Sequence, residues 1–256
     1  MKVAYVGIDL MLPALETLGN QEEIEILKIF TCPNLYEGET VDGVIAFANA
    51  HRIPYTQEKV TANDLAALRE AGCEMLLCAG YYYRLPMTDA FPMINIHPAP
   101  LPSHRGAWPM PYILLRGEAE GAVTFHKMEE AFDQGEILFS RSFPLTSKDN
   151  LMTYMQKANA LLPVLVKDLI RNLAKHLSAA RPQGQGRYLK NLTEADWTVT
   201  DQMSVKEADK ILRAFYGYPV LYLSASAKKE ISFGKAEYGP PKEGELPLLD
   251  GKIAFH

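Results

Sequence analysis

The sequence predicts an α/β protein, with a mostly parallel sheet in residues 1–180 and a small β-rich domain in residues 187–256. Three observations carry that prediction. Short apolar runs alternate with helix-patterned segments as far as residue 180, the signature of strands joined by crossover helices. Proline and glycine then cluster in Ser178-Ala179-Ala180-Arg181-Pro182-Gln183-Gly184-Gln185-Gly186, which reads as a linker. Beyond that break the apolar runs are short and bounded by turn residues.

In order along the chain, strands are read at 2–6, 24–30, 75–79, 93–97, 122–128 and 136–143. The first runs from Lys2 into a Gly7 turn, without the full Gly-x-Gly-x-x-Gly that dinucleotide binding requires. Helices are read over Leu12 to Leu18, Asp42 to His51, Asn63 to Ala71, Pro109 to Arg116, and Asn150 to about Leu177. After the break, Val205 to Tyr216 reads as a helix. Strands follow at Val220 to Ser224, Lys229 to Phe233 and Ile253 to Phe255, with Asp250-Gly251 as a hairpin turn.

Composition bounds the function classes. At 48% hydrophobic and 22% charged the chain is ordinary for a folded globular protein, and no apolar run is long enough to span a membrane. The opening residues read as a strand instead of a signal peptide, so a cytoplasmic location is expected. Cys32, Cys73 and Cys78 lack Cys-x-x-Cys spacing and read as small buried hydrophobes. A net charge of −5 argues against a general nucleic-acid binder. From Arg187 onward ten basic residues balance ten acidic ones, so the C-terminal domain has no excess charge with which to grip a phosphate backbone.

The chemistry concentrates in Ile94-Asn95-Ile96-His97-Pro98-Ala99-Pro100-Leu101-Pro102-Ser103-His104-Arg105-Gly106, answered by Phe132-Asp133-Gln134-Gly135. Period-two alternation puts Asn95 and His97 on one face of a strand, near the C-terminal end where open α/β sheets bind ligands. Asn95 can donate to a carbonyl oxygen that is becoming negative, and His97 can carry a proton near neutral pH. Prolines 98, 100 and 102 stiffen the loop that follows. Asp133, in an Asp-Gln-Gly turn between two strands, can orient the imidazole and stabilise its charged form. His97, His104, His126 and Asp133 could be drawn as a metal set, but no close ligand spacing supports one, and no metal is expected.

This order of features resembles the folate-dependent formyltransferases, a family that includes enzymes acting on methionyl-tRNA, sugar nucleotides and glycinamide ribonucleotide. The resemblance covers roughly residues 1–180 and includes Ala79-Gly80-Tyr81-Tyr82-Tyr83-Arg84-Leu85-Pro86, the Asn-x-His strand, the proline-rich loop and Gly121-Ala122-Val123-Thr124-Phe125-His126. It implies a Rossmann-like formyltransferase fold with a small OB-like C-terminal domain, 10-formyltetrahydrofolate as donor, and a primary amine as acceptor.

By position, Asn95, His97 and Asp133 match the family's catalytic trio. The resemblance implies that Asn95 and a protonated His97 hold the formyl oxygen, and that Asp133 supports the imidazolium and helps remove the amine's proton. It maps the pterin to a cleft between Tyr83, Arg84, Leu85 and Pro86 on one side and Glu129, Glu130, Ala131 and Phe132 on the other. One departure stands out: the family loop usually reads His-x-Ser-Leu-Leu-Pro, and Ala99 and Pro100 occupy the Ser and first Leu places here.

Tyr81, Tyr82, Arg105 and Trp108 are the candidates for the acceptor side. The aromatic ones read equally well as packing at the sheet edge or as walls of a cleft, and Arg105 as an anion contact or a solvated charge. Trp197 reads as a core anchor. The expected function is N-formyl transfer to a sugar-nucleotide amine or another small amine, in a protein free to form a homodimer. A methionyl-tRNA formyltransferase, a formyltetrahydrofolate hydrolase and a non-catalytic folate or nucleotide binder are the alternatives.

Overall fold

The computed structural model describes residues 1–33 and 40–255. Its N-terminal part alternates strands and helices: β1 (Lys2–Gly7), α1 (Leu12–Gly19), β2 (Glu25–Phe30), α2 (Asp42–His51), β3 (Tyr55–Thr56), α3 (Ala62–Glu70), β4 (Met75–Ala79) and β5 (Met93–His97). There follow α4 (Pro109–Arg116), β6 (Glu120–Lys127), β7 (Ile137–Pro144), α5 (Leu151–Arg171) and α6 (Leu173–Ser178). The seven strands form one sheet in the order β3-β2-β1-β4-β5-β6-β7. Pairing is parallel from β3 across to β5, and β6 runs antiparallel to β5.

Local chemistry explains the elements. Central strands β1 and β4 are buried almost throughout, as a parallel sheet covered on both faces demands. On one face Ala4, Val6, Phe30, Leu76, Cys78 and Met93 pack with Leu65 and Leu68 of α3. That helix opens with a reciprocal capping box between Thr61 and Asp64. The long helix expected from Asn150 to about Leu177 breaks at Asn172, which leaves helical geometry while its side-chain amide donates to Asp168 Oδ1 at 2.8 Å. The same Asp168 carboxylate accepts from His176 Nε2 at 2.9 Å.

By its contacts the chain divides into two compact units. One comprises Met1–Arg105, Ala122–Ser142 and Lys157–Tyr188; the other comprises Gly106–Gly121, Phe143–Gln156 and Leu189–His256. The second unit contains β8 (Thr198–Thr200), α7 (Val205–Ala214), β9 (Val220–Leu223), β10 (Lys228–Ile231), β11 (Gly234–Tyr238), β12 (Leu246–Pro247) and β13 (Gly251–Phe255). Among the described residues these strands form two three-stranded sheets, β10-β9-β8 and β11-β13-β12. The expected turn at Asp250-Gly251 lies between β12 and β13, where Leu248 N–H donates to Gly251 C=O at 2.8 Å. Trp197 packs edge-on against Phe215, with ring centroids 5.9 Å apart. Among the described residues no helix is long and apolar enough to cross a membrane.

Candidate active site

The strand phase read from Met93-Ile94-Asn95-Ile96-His97 holds. Ile94 and Ile96 are buried on one face of β5, and Asn95 and His97 project from the other. Because β6 runs antiparallel to β5, Asn95 lies opposite His126 and His97 opposite Thr124, and paired residues in such a ladder share a face. The register therefore delivers a second imidazole to the site.

His126 Nδ1 lies 2.7 Å from the Lys127 carbonyl, so that nitrogen carries a hydrogen. In the neutral ring Nε2 is then an acceptor, and Asn95 Nδ2 donates to it at 3.0 Å. This fixes the orientation of the Asn95 carboxamide and leaves its second amide hydrogen for another acceptor. His97 is constrained in a parallel way: its Nε2 donates to the His104 carbonyl at 2.7 Å, which turns Nδ1 toward Asp133.

Asp133 Oδ1 is 3.6 Å from His97 Nδ1 and 3.6 Å from His126 Nε2, so one carboxylate oxygen faces both rings. Asp133 adopts a left-handed backbone, φ +55°, a conformation uncommon for any residue with a Cβ, though Asp reaches it more readily than most. Gly135 follows it closely packed: a Cβ there would collide with the Lys127 carbonyl oxygen. His97 is only 4% exposed, and burial holds its pKa below the ordinary 6.5 even though the Asp133 carboxylate pushes it upward. The resemblance implies a protonated His97 as the formyl oxygen gains charge; burial disfavours that charge and the Asp133 carboxylate favours it.

The proline-rich loop is braced from outside. Ala99, standing at the family's Ser place, is fully buried, and its carbonyl accepts from Thr124 Oγ1 at 2.8 Å. Thr124 Oγ1 also lies 2.9 Å from Ser140 Oγ. A hydroxyl on the neighbouring strand thus secures the loop where its own hydroxyl is missing.

The two stretches expected to flank a pterin come together. Arg84, Leu85, Pro86 and Met87 line a cavity of about 430 Å³ with Glu130, and Arg84 Nη2 donates to the Glu130 carbonyl at 2.6 Å. The Arg84 guanidinium also lies 5.9 Å from the centre of the exposed Phe132 ring. Gly80, at φ +71°, turns the chain out of β4 toward this stretch. Glu129 and Ala131 occupy the same loop before Asp133, and Glu129, Glu130 and Ala131 are all exposed.

Tyr81 and Tyr83 meet edge-on at 5.5 Å, Lys59 Nζ lies 4.6 Å over the Tyr83 ring, and Tyr82 is exposed. The Tyr81 hydroxyl accepts from Val60 N–H at 3.4 Å, and burial pushes its pKa up to about 12. Arg105 directs Nε at Gln183 Oε1, 2.9 Å away, and Nη2 at the Gly184 carbonyl, 3.2 Å away. Trp108 belongs to the second unit, where its ring meets Phe215 at 5.5 Å and Tyr218 at 5.0 Å.

With this geometry in view, comparison with known proteins is decisive. The family model described as formyl transferase matches residues 23–169. The chain belongs to the folate-dependent formyltransferase family.

As a formyltransferase the chain is a group-transfer enzyme, and its relatives carry that chemistry in their names. The methionyl-tRNA formyltransferase of Rickettsia rickettsii is 26% identical over 250 residues, covering 93% of this chain and 81% of the relative. A 4-N formyltransferase from Francisella tularensis has the same fold, with a TM-score of 0.70 at 18% identity over 92% of this chain and 98% of its own. So has the N-formyltransferase from Helicobacter canadensis, solved with folinic acid and dTDP-3-aminofucose, with a TM-score of 0.67 at 16% identity over 98% and 97% of the two chains.

Two residues of this formyltransferase site had no role beside Asn95 and Asp133 assigned from sequence: His126, weighed there only as a metal ligand, and Gln183. His126 was visible in Val123-Thr124-Phe125-His126, and a period-two reading of that strand against β5 would have paired it with Asn95. Gln183 gave no such signal. It lies in the stretch read as a linker, yet that stretch is tied down: Arg181 and Ile137 exchange backbone hydrogen bonds of 2.9 and 3.0 Å, and Tyr188 bridges to Arg105.

Proposed function

We propose that Asn95, His97 and Asp133 catalyse transfer of a formyl group from 10-formyltetrahydrofolate to the amine of a sugar nucleotide or another small molecule. The observation that carries this reading is the single Asp133 oxygen 3.6 Å from His97 Nδ1, on the same strand face as an Asn95 amide with one hydrogen to spare.

The spare amide hydrogen of Asn95 meets the formyl oxygen as the amine nitrogen bonds to the formyl carbon and the carbonyl electrons move onto that oxygen. Such preorganised donors supply much of the rate in acyl transfer. Neutral His97 takes the proton the amine gives up at Nδ1, and Asp133 together with the His104 carbonyl holds the resulting imidazolium. As the oxyanion collapses and the bond to the donor nitrogen breaks, His97 returns that proton to the departing nitrogen.

For the donor, the cavity at Arg84–Met87 and Glu130 offers backbone groups and a guanidinium beside an exposed Phe132 ring, a fit for a flat heteroaromatic ring on a charged tail. The balanced charge after Arg187 favours a small acceptor over transfer RNA. The test is incubation with 10-formyltetrahydrofolate and a panel of amines, including nucleotide-linked amino sugars and methionyl-tRNA, read by mass spectrometry. A formyl mass gain on a small amine supports the proposal; release of formate with no acylated amine marks a hydrolase instead.

A further inference from the structure

We infer that Gln183 is a positioning residue for Asp133, clamping the backbone of the Asp133 turn so that its carboxylate faces His97 and His126. Gln183 Nε2 donates to the Asp133 carbonyl at 2.9 Å and to the Gly135 carbonyl at 2.7 Å, so one amide group spans the turn. Its Oε1 accepts from Arg105 Nε at 2.9 Å. That third contact sets which end of the amide faces the turn, since a flipped amide would aim its oxygen at two carbonyls and its hydrogens at a guanidinium.

The clamp acts where the turn needs it. Asp133 is left-handed without being glycine, and such a conformation persists only when its surroundings over-determine it. On one side Gly135 presses against the Lys127 carbonyl, which also receives the Nδ1 hydrogen of His126. On the other side stands Gln183. Arg105 leaves the proline-rich loop just after His104, so a chain of hydrogen bonds joins the loop that orients His97 to the turn that carries Asp133. Both ends of the His97–Asp133 pair are thereby fixed by one strap, residues 181–188, which returns along β7 through Arg181 and Ile137.

The inference deepens the formyl-transfer reading, since it takes Asp133 as the partner of His97. Its test needs no turnover. The readout is the titration midpoint of His97 from imidazole nitrogen shifts in the full-length protein with labelled histidine. The charged and titratable groups that bear on it are Asp133, His126 and His104, and Asp133 itself faces Cys78 and Tyr188.

Asp133→Asn should lower the midpoint, because the carboxylate favours the imidazolium. Gln183→Met, close to isosteric but without donors, should lower it in the same direction by at least half as much. In the Asp133→Asn background it should add nothing. A Gln183→Met protein that keeps the wild-type midpoint, while Asp133→Asn moves it, overturns the inference and leaves the formyl-transfer reading standing. If Asp133→Asn fails to move the midpoint, both fall. Should Gln183→Met lose its cooperative melting transition, Gln183→Ala carries the same comparison.

Discussion

His97 presents Nδ1 to Asp133 Oδ1 at 3.6 Å because its Nε2 is already committed to the His104 carbonyl at 2.7 Å. The proline-rich loop, by supplying that carbonyl, decides which nitrogen of the ring does proton chemistry. The carboxylate then waits for a proton to arrive between them.

Removing either partner should therefore disable the same step. His97→Ala and Asp133→Ala are each expected to lower turnover by about a hundredfold or more while leaving the fold largely intact. The losses should not multiply, because groups acting as a unit are grossly non-additive. Steady-state kinetics of the double variant check this, and a double loss equal to the product of the single losses would contradict it.

Activity should also follow the neutral form of His97. Burial holds its pKa below 6.5, so the rate should be flat above that value and fall as pH drops through a midpoint below it. Stability shares the sign: in the window between the folded value and 6.5 the unfolded chain binds more protons, so stability declines as pH falls through that window and gains nothing above it. A rate that instead falls as pH rises through the His97 midpoint would show that His97 works protonated.

His126 is predicted to matter through Asn95. With His126→Leu the carboxamide loses the acceptor that fixes its orientation, and turnover should fall about tenfold or more, as for a misaligned oxyanion donor. The measurement is kcat against KM: kcat should carry the loss, and an effect confined to KM would assign His126 to binding instead.

The Asp133 turn should be intolerant of bulk. In Gly135→Ala the new Cβ meets the Lys127 carbonyl, and overpacking of this kind costs about 1–3 kcal/mol. For a chain of this size that is a fall in melting temperature of about 2–4 °C per kcal/mol. Calorimetry reads it directly, and an unchanged transition would show that the turn has room to move.

Much of this site was legible from the chain itself, for identifiable reasons. Period-two alternation in Ile94-Asn95-Ile96-His97 fixes which residues share a face whatever the strand pairs with, and a proline-rich loop followed by Asp-x-Gly has few conformations to choose from. His126 became a site residue only through the antiparallel register of β6 on β5, which composition does not encode. Gln183 is fifty residues from Asp133 in a proline- and glycine-rich stretch whose pattern reads as a linker; only the tertiary path brings its amide back. The short strands β3 and β12 have two residues each, too few for any periodicity, and the inward residues of β11, Gly234 and Ala236, are too small to stand out as an apolar stripe.

Formyl transfer onto a small amine can be read directly. The most direct measurement is mass spectrometry of a nucleotide-linked amino sugar incubated with 10-formyltetrahydrofolate and either the wild-type protein or the His97→Ala variant at physiological salt. The wild type should give a formyl mass gain, and the variant should lose it almost completely. Formylation of methionyl-tRNA at a rate matching or exceeding that of every small amine tested, or equal product from wild type and variant, would contradict that expectation.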